Sequence, residues 1–214
     1  MELIETKAGL SRREARRNDR RDAILAVAYD SFLEHGYAAT SMSAIAATLG
    51  GSKATLWSYF PSKAALFEAV LDQATTAFRE QMIPLLAPGA DIGTTLRSFC
   101  LRFIEKVTSP EAVALYRLVH GEAGRFPEVG EIFYDRGPGT TYRLLGNFLG
   151  AAMERGALRA ADPVRAAKVL ITLCFVGSHQ QVLLGLVDGP DPAALATDAG
   201  AAVDIFLRAY APCP

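Results

Sequence analysis

Cysteine, histidine and tryptophan are scarce in this 214-residue chain, with three, three and one of each. Each shortage excludes something. Cys100, Cys174 and Cys213 are odd in number and lack CxxC spacing, which fits reduced thiols in a cytosol and not a disulfide framework. His35, His120 and His179 show no metal-ligand spacing with them, so a metal sensor is a weak reading. HExxH, P-loop and GxSxG patterns are absent, and Gly137-Pro138-Gly139 lacks the strand and further glycines of a phosphate cradle. No enzyme and no cofactor are therefore expected. The N-terminus carries no apolar core of a secretory signal, and a cytoplasmic location is expected. Only Val169–Val187 approaches a membrane span in length. Ser178, His179, Gln180 and Gln181 in its middle are costly at a bilayer centre, so it reads as a buried helix of a water-soluble protein. Strand-like alternation, internal repeats and low-complexity tracts are also missing.

What is present is apolar and helical. Half the residues are hydrophobic, enough to bury a sizeable core, and the formal net charge is only −1. That average hides an asymmetry. Residues 1–63 hold nine Lys/Arg against seven Asp/Glu, whereas residues 64–214 hold thirteen against sixteen. The basic surplus gathers in Lys7, Arg12, Arg13, Arg16, Arg17, Arg20 and Arg21. A basic arm on a mildly acidic protein suggests a local contact with a polyanion, although such a tail can also be simply solvated.

Apolar residues recur at helical steps along the whole chain. Ile24, Val27, Ala28 and Phe32 mark a first helix stopped by Gly36. Met42, Ile45, Ala46 and Leu49 mark a short second one before Gly50-Gly51. Ser52 caps a third that carries Leu56 and Phe60 and ends at Pro61; Ser62 caps a fourth reaching a break near Pro84. Past a loop at Pro88-Gly89, Ile92 to Val107 form a sustained stripe. Further helices start at Ser109-Pro110 and Pro127, and another follows Gly137-Pro138-Gly139. Asp162-Pro163 and Asp191-Pro192 open two long C-terminal helices, roughly 163–187 and 192–210.

Residues 40–63, TSMSAIAATLGGSKATLWSYFPSK, have the form of a helix-turn-helix, whose second helix presents its outer face to a major groove. Ala46 lets the helices cross closely and Gly50 supplies the turn. Leu56 and Phe60 pin the second helix to the core, leaving Lys53, Ala54, Thr55, Trp57 and Ser58 outward. Lys53 can donate to guanine or phosphate, Thr55 to a base edge or phosphate, and the Ala54 methyl can meet a thymine methyl. Tyr59, Lys63, Ser41 and Ser43 are placed to bind phosphates. The alternative is a compact three-helix packing unit with Trp57 in its core.

The run Ile24, Phe32, Gly36-Tyr37, Thr40, Ile45-Ala46, Leu49-Gly50, Ser52, Leu56-Trp57-Ser58-Tyr59-Phe60, Ser62-Lys63 and Leu66 resembles the signature of the TetR/AcrR (tetracycline-repressor) family. The resemblance covers residues 17–71. It departs at position 57, usually tyrosine, and at position 51, usually not glycine. It implies an all-α fold of about nine helices. Residues 1–62 would form the DNA-binding domain and 63–214 an effector-binding and dimerisation domain. It further implies operator contacts from Lys53, Ala54, Thr55, Trp57, Ser58, Tyr59 and Lys63, phosphate donors Ser41 and Ser43, and added contacts from Arg16 and Arg17. Tyr116 to Glu122 with Phe126-Pro127-Glu128 resembles the C-terminal domain of one branch of the same family.

In the body, Val169–Phe175 is almost continuously hydrophobic and Val182, Leu183, Leu184, Leu186 and Val187 follow within two turns, which calls for burial on all sides; a partner's equivalent helices at 163–187 and 192–210 would supply it. Phe206, Leu207 and Tyr210 would join that homodimer interface; the alternative is burial within one subunit. Phe99, Phe103, Tyr116, Phe133, Phe148, Met153 and Phe175 are candidates to line a ligand cavity, although apolar stripes are commonly just core. His120, His179 and Gln180 are candidate polar anchors for an apolar effector. The expectation is a ligand-released repressor that binds an inverted-repeat double-stranded DNA operator as a homodimer. The rival reading is a helical protein-binding adaptor.

Overall fold

Every regular element of the computed structural model is helical among the residues it describes, 11–86, 89 and 91–212. Lys7 of the basic arm, Pro88 of the expected loop and Cys213 lie outside them. The basic segment from Ser11 onward is not a tail but the opening of a helix, α1 (Arg12–Ala39). A capping box starts it. The Ser11 N–H donates to the Glu14 carboxylate over 2.8 Å, and the Glu14 N–H donates to Ser11 Oγ over 3.3 Å.

Gly36, at φ 81°, interrupts α1 one turn before its end, a backbone angle that favours glycine. The chain then reverses through Thr40, whose hydroxyl donates to the Gly36 carbonyl over 2.7 Å. Ser41, Ser52 and Ser62 each accept a backbone N–H at the starts of α2 (Met42–Thr48), α3 (Lys53–Tyr59) and α4 (Lys63–Met82). Such a cap stabilises a short helix by about 1 kcal/mol. Gly50, at φ 61°, makes the turn between α2 and α3.

A 3-10 turn, Ile83–Leu86, leads to the body: α5 (Ile92–Val107), α6 (Pro110–Glu122), α7 (Pro127–Arg136), α8 (Pro138–Glu154), α9 (Pro163–Cys174), α10 (Ser178–Leu183) and α11 (Pro192–Tyr210). Pro at the first helical position, where no N–H partner is needed, opens five of these, α6 to α9 and α11.

Two apolar cores result. One joins Ile24, Leu25, Phe32, Ile45, Leu56, Phe67 and Val70 to Leu118 and Val119 of α6 and Val129 of α7. The helix-turn-helix therefore shares its core with the body. The second packs Leu96 and Phe99 of α5, Leu145 and Leu149 of α8, Leu170 of α9, and Val203 and Phe206 of α11. A Cβ at Gly146 would sit 3.3 Å from the Val164 backbone, so this glycine lets α8 lie close on α9.

Two expectations about the C-terminal part need correction. The segment 163–187 is not one helix: α9 ends at Cys174 and α10 begins at Ser178. The hinge is Gly177 (φ 95°, ψ −123°), where Asp198 of α11 accepts the Ser178 N–H over 2.8 Å. Largely apolar stretches on either side, Val169–Val176 and Val182–Leu184, hide the break in the sequence pattern. Phe206 and Tyr210, expected at a subunit interface, are instead buried in their own subunit, stacked 4.5 Å apart. Cys100 and Cys174 are buried side by side, and their mutual hydrogen bond and burial push the Cys100 thiol far above its ordinary range. Such a thiol is inert.

Gly177→Ala is expected to cost about 1–3 kcal/mol of stability, because it forces a side chain into a glycine-only conformation. A Cβ there would also lie 2.7 Å from Asp198 Oδ1. Urea denaturation measures the loss.

Candidate nucleic-acid interface and the cavity behind it

The caps and Leu56 fix which way α3 faces. Leu56 is 2% exposed, and Lys53, Ala54, Thr55 and Ser58 all lie on the exposed side. Trp57 is 42% exposed, so the alternative that places it in a core is wrong. Ser41 and Ser43 are exposed at the start of α2. The Ser58 hydroxyl donates to the Thr55 carbonyl over 2.7 Å, which holds that edge of the helix in one rotamer. Arg16 and Arg17 are exposed on α1, and the Arg17 guanidinium lies 5.9 Å from the Tyr59 ring centre. The first turns of α1 therefore bring cations beside α3. Arg20 is engaged differently, donating to the Leu49 carbonyl at the end of α2 over 3.1 Å.

Lys63 is drawn inward. Its ammonium donates to the carbonyls of Tyr37, Ala38 and Thr40 at 2.7, 3.3 and 3.2 Å. Those acceptors use its three N–H bonds. Lys63 thus closes the end of α1 and positions Ser41 beside it.

The same junction is gripped from the body. Glu122, the last residue of α6, accepts the Tyr37 N–H on Oε1 and the Ala38 N–H on Oε2, each over 2.7 Å. A Cβ at Gly36 would run into Glu122 Oε1. The Tyr37 hydroxyl donates to Glu128 over 3.2 Å; burial first, then the Glu128 charge, pushes its pKa up to about 12. Arg136 of α7 pairs with Glu68 and, at 3.7 Å, with Asp72 of α4.

Between these joints and the second core lies a cavity with about 110 Å³ of room, walled largely by apolar side chains. Phe99, Phe103, Tyr116, Phe133 and Phe175 line it, as the sequence suggested. Phe148, Met153, Gln180, His120 and His179 are not among its walls. Phe148 is half-buried on α8 against the second core. His120 is exposed and stacks on Tyr116 at 5.8 Å. His179 stands behind the wall, 5.4 Å from Tyr116 and 4.5 Å from Phe175 between ring centres. Burial, and after it His120, lower the His179 pKa, and its Nε2 has no partner among the described residues.

Sequence reasoning missed the contribution of α4, whose Thr75, Phe78, Arg79 and Met82 all face the cavity. Their i, i+3, i+4, i+7 spacing was the available signal. Lys106, Arg136, Thr140, Thr141 and Tyr142 complete its polar part.

A capped helix-turn-helix with an outward polar face, bolted to an all-helical body that holds a largely apolar cavity, is the build of a DNA-binding transcriptional regulator. Comparison with known proteins agrees. Residues 24–70 match the family described as bacterial regulatory proteins, tetR family, and residues 94–212 match the AefR-like transcriptional repressor C-terminal domain. The chain belongs to the TetR family of transcriptional regulators. Over 75 residues it is 43% identical to the HTH-type transcriptional regulator RutR of Escherichia coli K12, a match covering 32% of this chain and 35% of that relative's length. The solved flavonoid-responsive regulator FrrA is 34% identical, with a TM-score of 0.81 over 92% of this chain and 100% of that one. A TetR transcriptional regulator from Agrobacterium tumefaciens is 25% identical, with a TM-score of 0.69 over 90% and 95% of the two chains.

Glu122→Gln leaves one acceptor oxygen where two amides now donate. Hydrogen exchange at the Tyr37 or Ala38 amide is expected to rise about tenfold, the equivalent of a charge-assisted hydrogen bond of about 1.4 kcal/mol.

The lowered pKa of His179 means the folded state resists protonation while the unfolded chain accepts a proton near the ordinary value of 6.5. Its contribution to stability is complete above that value and falls as the pH drops from there towards the lowered folded value. His179→Leu should flatten this slope in denaturation curves taken across that window.

Proposed function

We propose that this chain is a homodimeric repressor that binds an inverted-repeat operator through α3 and is released by a small ligand in the cavity. The observation that carries the DNA reading is the outward face of α3, with Trp57 42% exposed beside Lys53, Ala54, Thr55 and Ser58. An exposed tryptophan amid polar groups is explained by a macromolecule that covers it. Lys53 and Thr55 read base edges, and Ala54 meets a thymine methyl. Trp57, Ser58, Tyr59, Ser41 and Ser43 hold the backbone, and Arg16 and Arg17 add flanking phosphate contacts. Lys63 acts through the α1–α2 junction that it caps.

Dimerisation is supported by exposed apolar side chains on the C-terminal helices and the turns that join them. Val176, Leu184, Leu186 and Ile205 are 65%, 64%, 70% and 52% exposed, and Val164 and Val169 add to them. A second copy presenting the same side chains covers them, and two-fold symmetry then sets two α3 helices about 34–36 Å apart for successive major grooves. Ligand release is supported by α6, which carries Tyr116 in the cavity wall and Glu122 on the helix-turn-helix. FrrA is by its name flavonoid-responsive. A ligand that favours a different position of α6 disfavours the DNA-bound spacing, and the coupling is reciprocal.

Selection from random duplex DNA should yield an inverted repeat that sediments with two chains per site. Lys53→Ala should weaken its binding by about 1–3 kcal/mol, and operator binding should shift the emission of the sole tryptophan. Unchanged affinity in both Lys53→Ala and Trp57→Ala would overturn the assignment of α3.

A further inference from the structure

The polar groups around the cavity separate into those already satisfied and those left over. The Thr75, Thr140 and Thr141 hydroxyls donate to the carbonyls of Leu71, Asp135 and Gly137. Arg136 has Glu68 and Asp72, both outside the lining. Four groups remain. Lys106 has no acidic partner among the described residues, and Arg79 donates only to the Thr76 hydroxyl. Tyr116 and Tyr142 both line the cavity, and neither phenol has a hydrogen-bond partner among the described residues. Burial raises both phenol pKa values, and each of these residues stays a neutral donor at neutral pH. No Asp or Glu lines the cavity.

All four leftover groups donate hydrogen bonds, and two carry positive charge. A cationic ligand meets repulsion there, and a neutral hydrocarbon leaves every donor unmatched. Lys106 and Arg79 each sit in the last turn of a helix, where a cation is favourable in any case. That placement accounts for their presence but not for a lining without a single carboxylate. The remaining wall is aromatic: Phe78, Phe103 and Phe175 pack at 6.5 and 5.6 Å between ring centres, and Tyr116 meets Phe133 at 5.3 Å. These faces and edges suit a flat ring. Room of about 110 Å³ is close to the cavity of about 150 Å³ that holds benzene in another protein.

We propose that the effector is a compact aromatic acid, its single ring held among Phe99, Phe103 and Phe175 and its anionic group met by Lys106, Arg79 and the two phenols. This rests on reading the cavity as the sensing site, and it narrows that reading from apolar ligands in general to anions.

Calorimetry on the full-length protein at pH 7 with 4-ethylbenzoate, 4-ethylbenzamide and 4-ethylbenzylammonium tests it, because the three differ in charge and little in shape. The benzoate is expected to bind at least about tenfold more tightly than the amide, as a charge-assisted contact replaces a neutral one. Lys106→Met should erase about that tenfold for the benzoate and leave the amide within about twofold. Tyr142→Phe, which removes only a hydroxyl, serves if Lys106→Met lowers the melting temperature. Equal binding of acid and amide, preference for the ammonium, no binding of any probe, or a benzoate indifferent to both substitutions would each overturn the proposal. Operator release is read separately. Benzoate that binds in this Lys106-dependent way without releasing operator sustains the ligand chemistry and overturns the sensing role.

Discussion

The carboxylate of Glu122 holds two consecutive backbone N–H groups of another helix, and this contact ties the helix-turn-helix to the body. Those amides belong to Tyr37 and Ala38, past the Gly36 break in α1, where the chain turns toward the first helix of the DNA-reading unit. The carbonyls at the same turn are taken by Lys63. Donors and acceptors of one reversal are thus satisfied by charged side chains from two directions, one from the body and one from α4. Gly36 is needed twice over, for its positive φ and for the space Glu122 occupies.

Around that joint the structure is economical in how it ends its helices. The N-terminal unit uses serine side chains as caps before α2, α3 and α4. The body prefers proline at the first helical position, with Ser109, Asp162 and Asp191 before it at α6, α9 and α11. Short helices such as α2 and α3, seven residues each, are marginal alone. Their caps and the burial of Ile45, Ala46 and Leu56 hold them in one orientation. That orientation turns a generic three-helix packing into a surface able to read DNA.

Much of this was legible beforehand. Capping residues, prolines and apolar spacing mark helix starts directly in the sequence, and α7 runs from Pro127 to Arg136 as its pattern suggests. The outward face of α3 follows from Leu56 and Phe60 alone. What escaped notice depends on three-dimensional proximity. The break at Gly177 lies between two apolar stretches that can be read as one helix, and Asp198, far along the chain on α11, supplies the acceptor for Ser178. Lys63 looks from its position like a phosphate ligand until Tyr37, Ala38 and Thr40 are seen around it. His120 and His179 stand on suitable faces, but the helices rotate one to solvent and the other behind Tyr116 and Phe175. The share of α4 in the cavity was visible as spacing, yet the same stripe served equally well as core.

The break after α9 has a consequence for α6. The carbonyls at the end of α10 lie within reach of Arg117, which donates to Val182 over 3.0 Å and to Leu183 over 3.1 Å. Arg117 follows Tyr116 of the cavity wall and precedes Glu122 by five residues. Leu184 and Leu186, just beyond the carbonyls it holds, are among the exposed apolar side chains. A rod of 13 residues, about 20 Å long, therefore touches three surfaces that would otherwise be independent. A displacement of α6 cannot be felt by the helix-turn-helix alone. On the proposed reading of the chain as a ligand-released homodimer, the strength with which two copies hold each other is a variable of the same equilibrium, and protein concentration joins ligand concentration as an input.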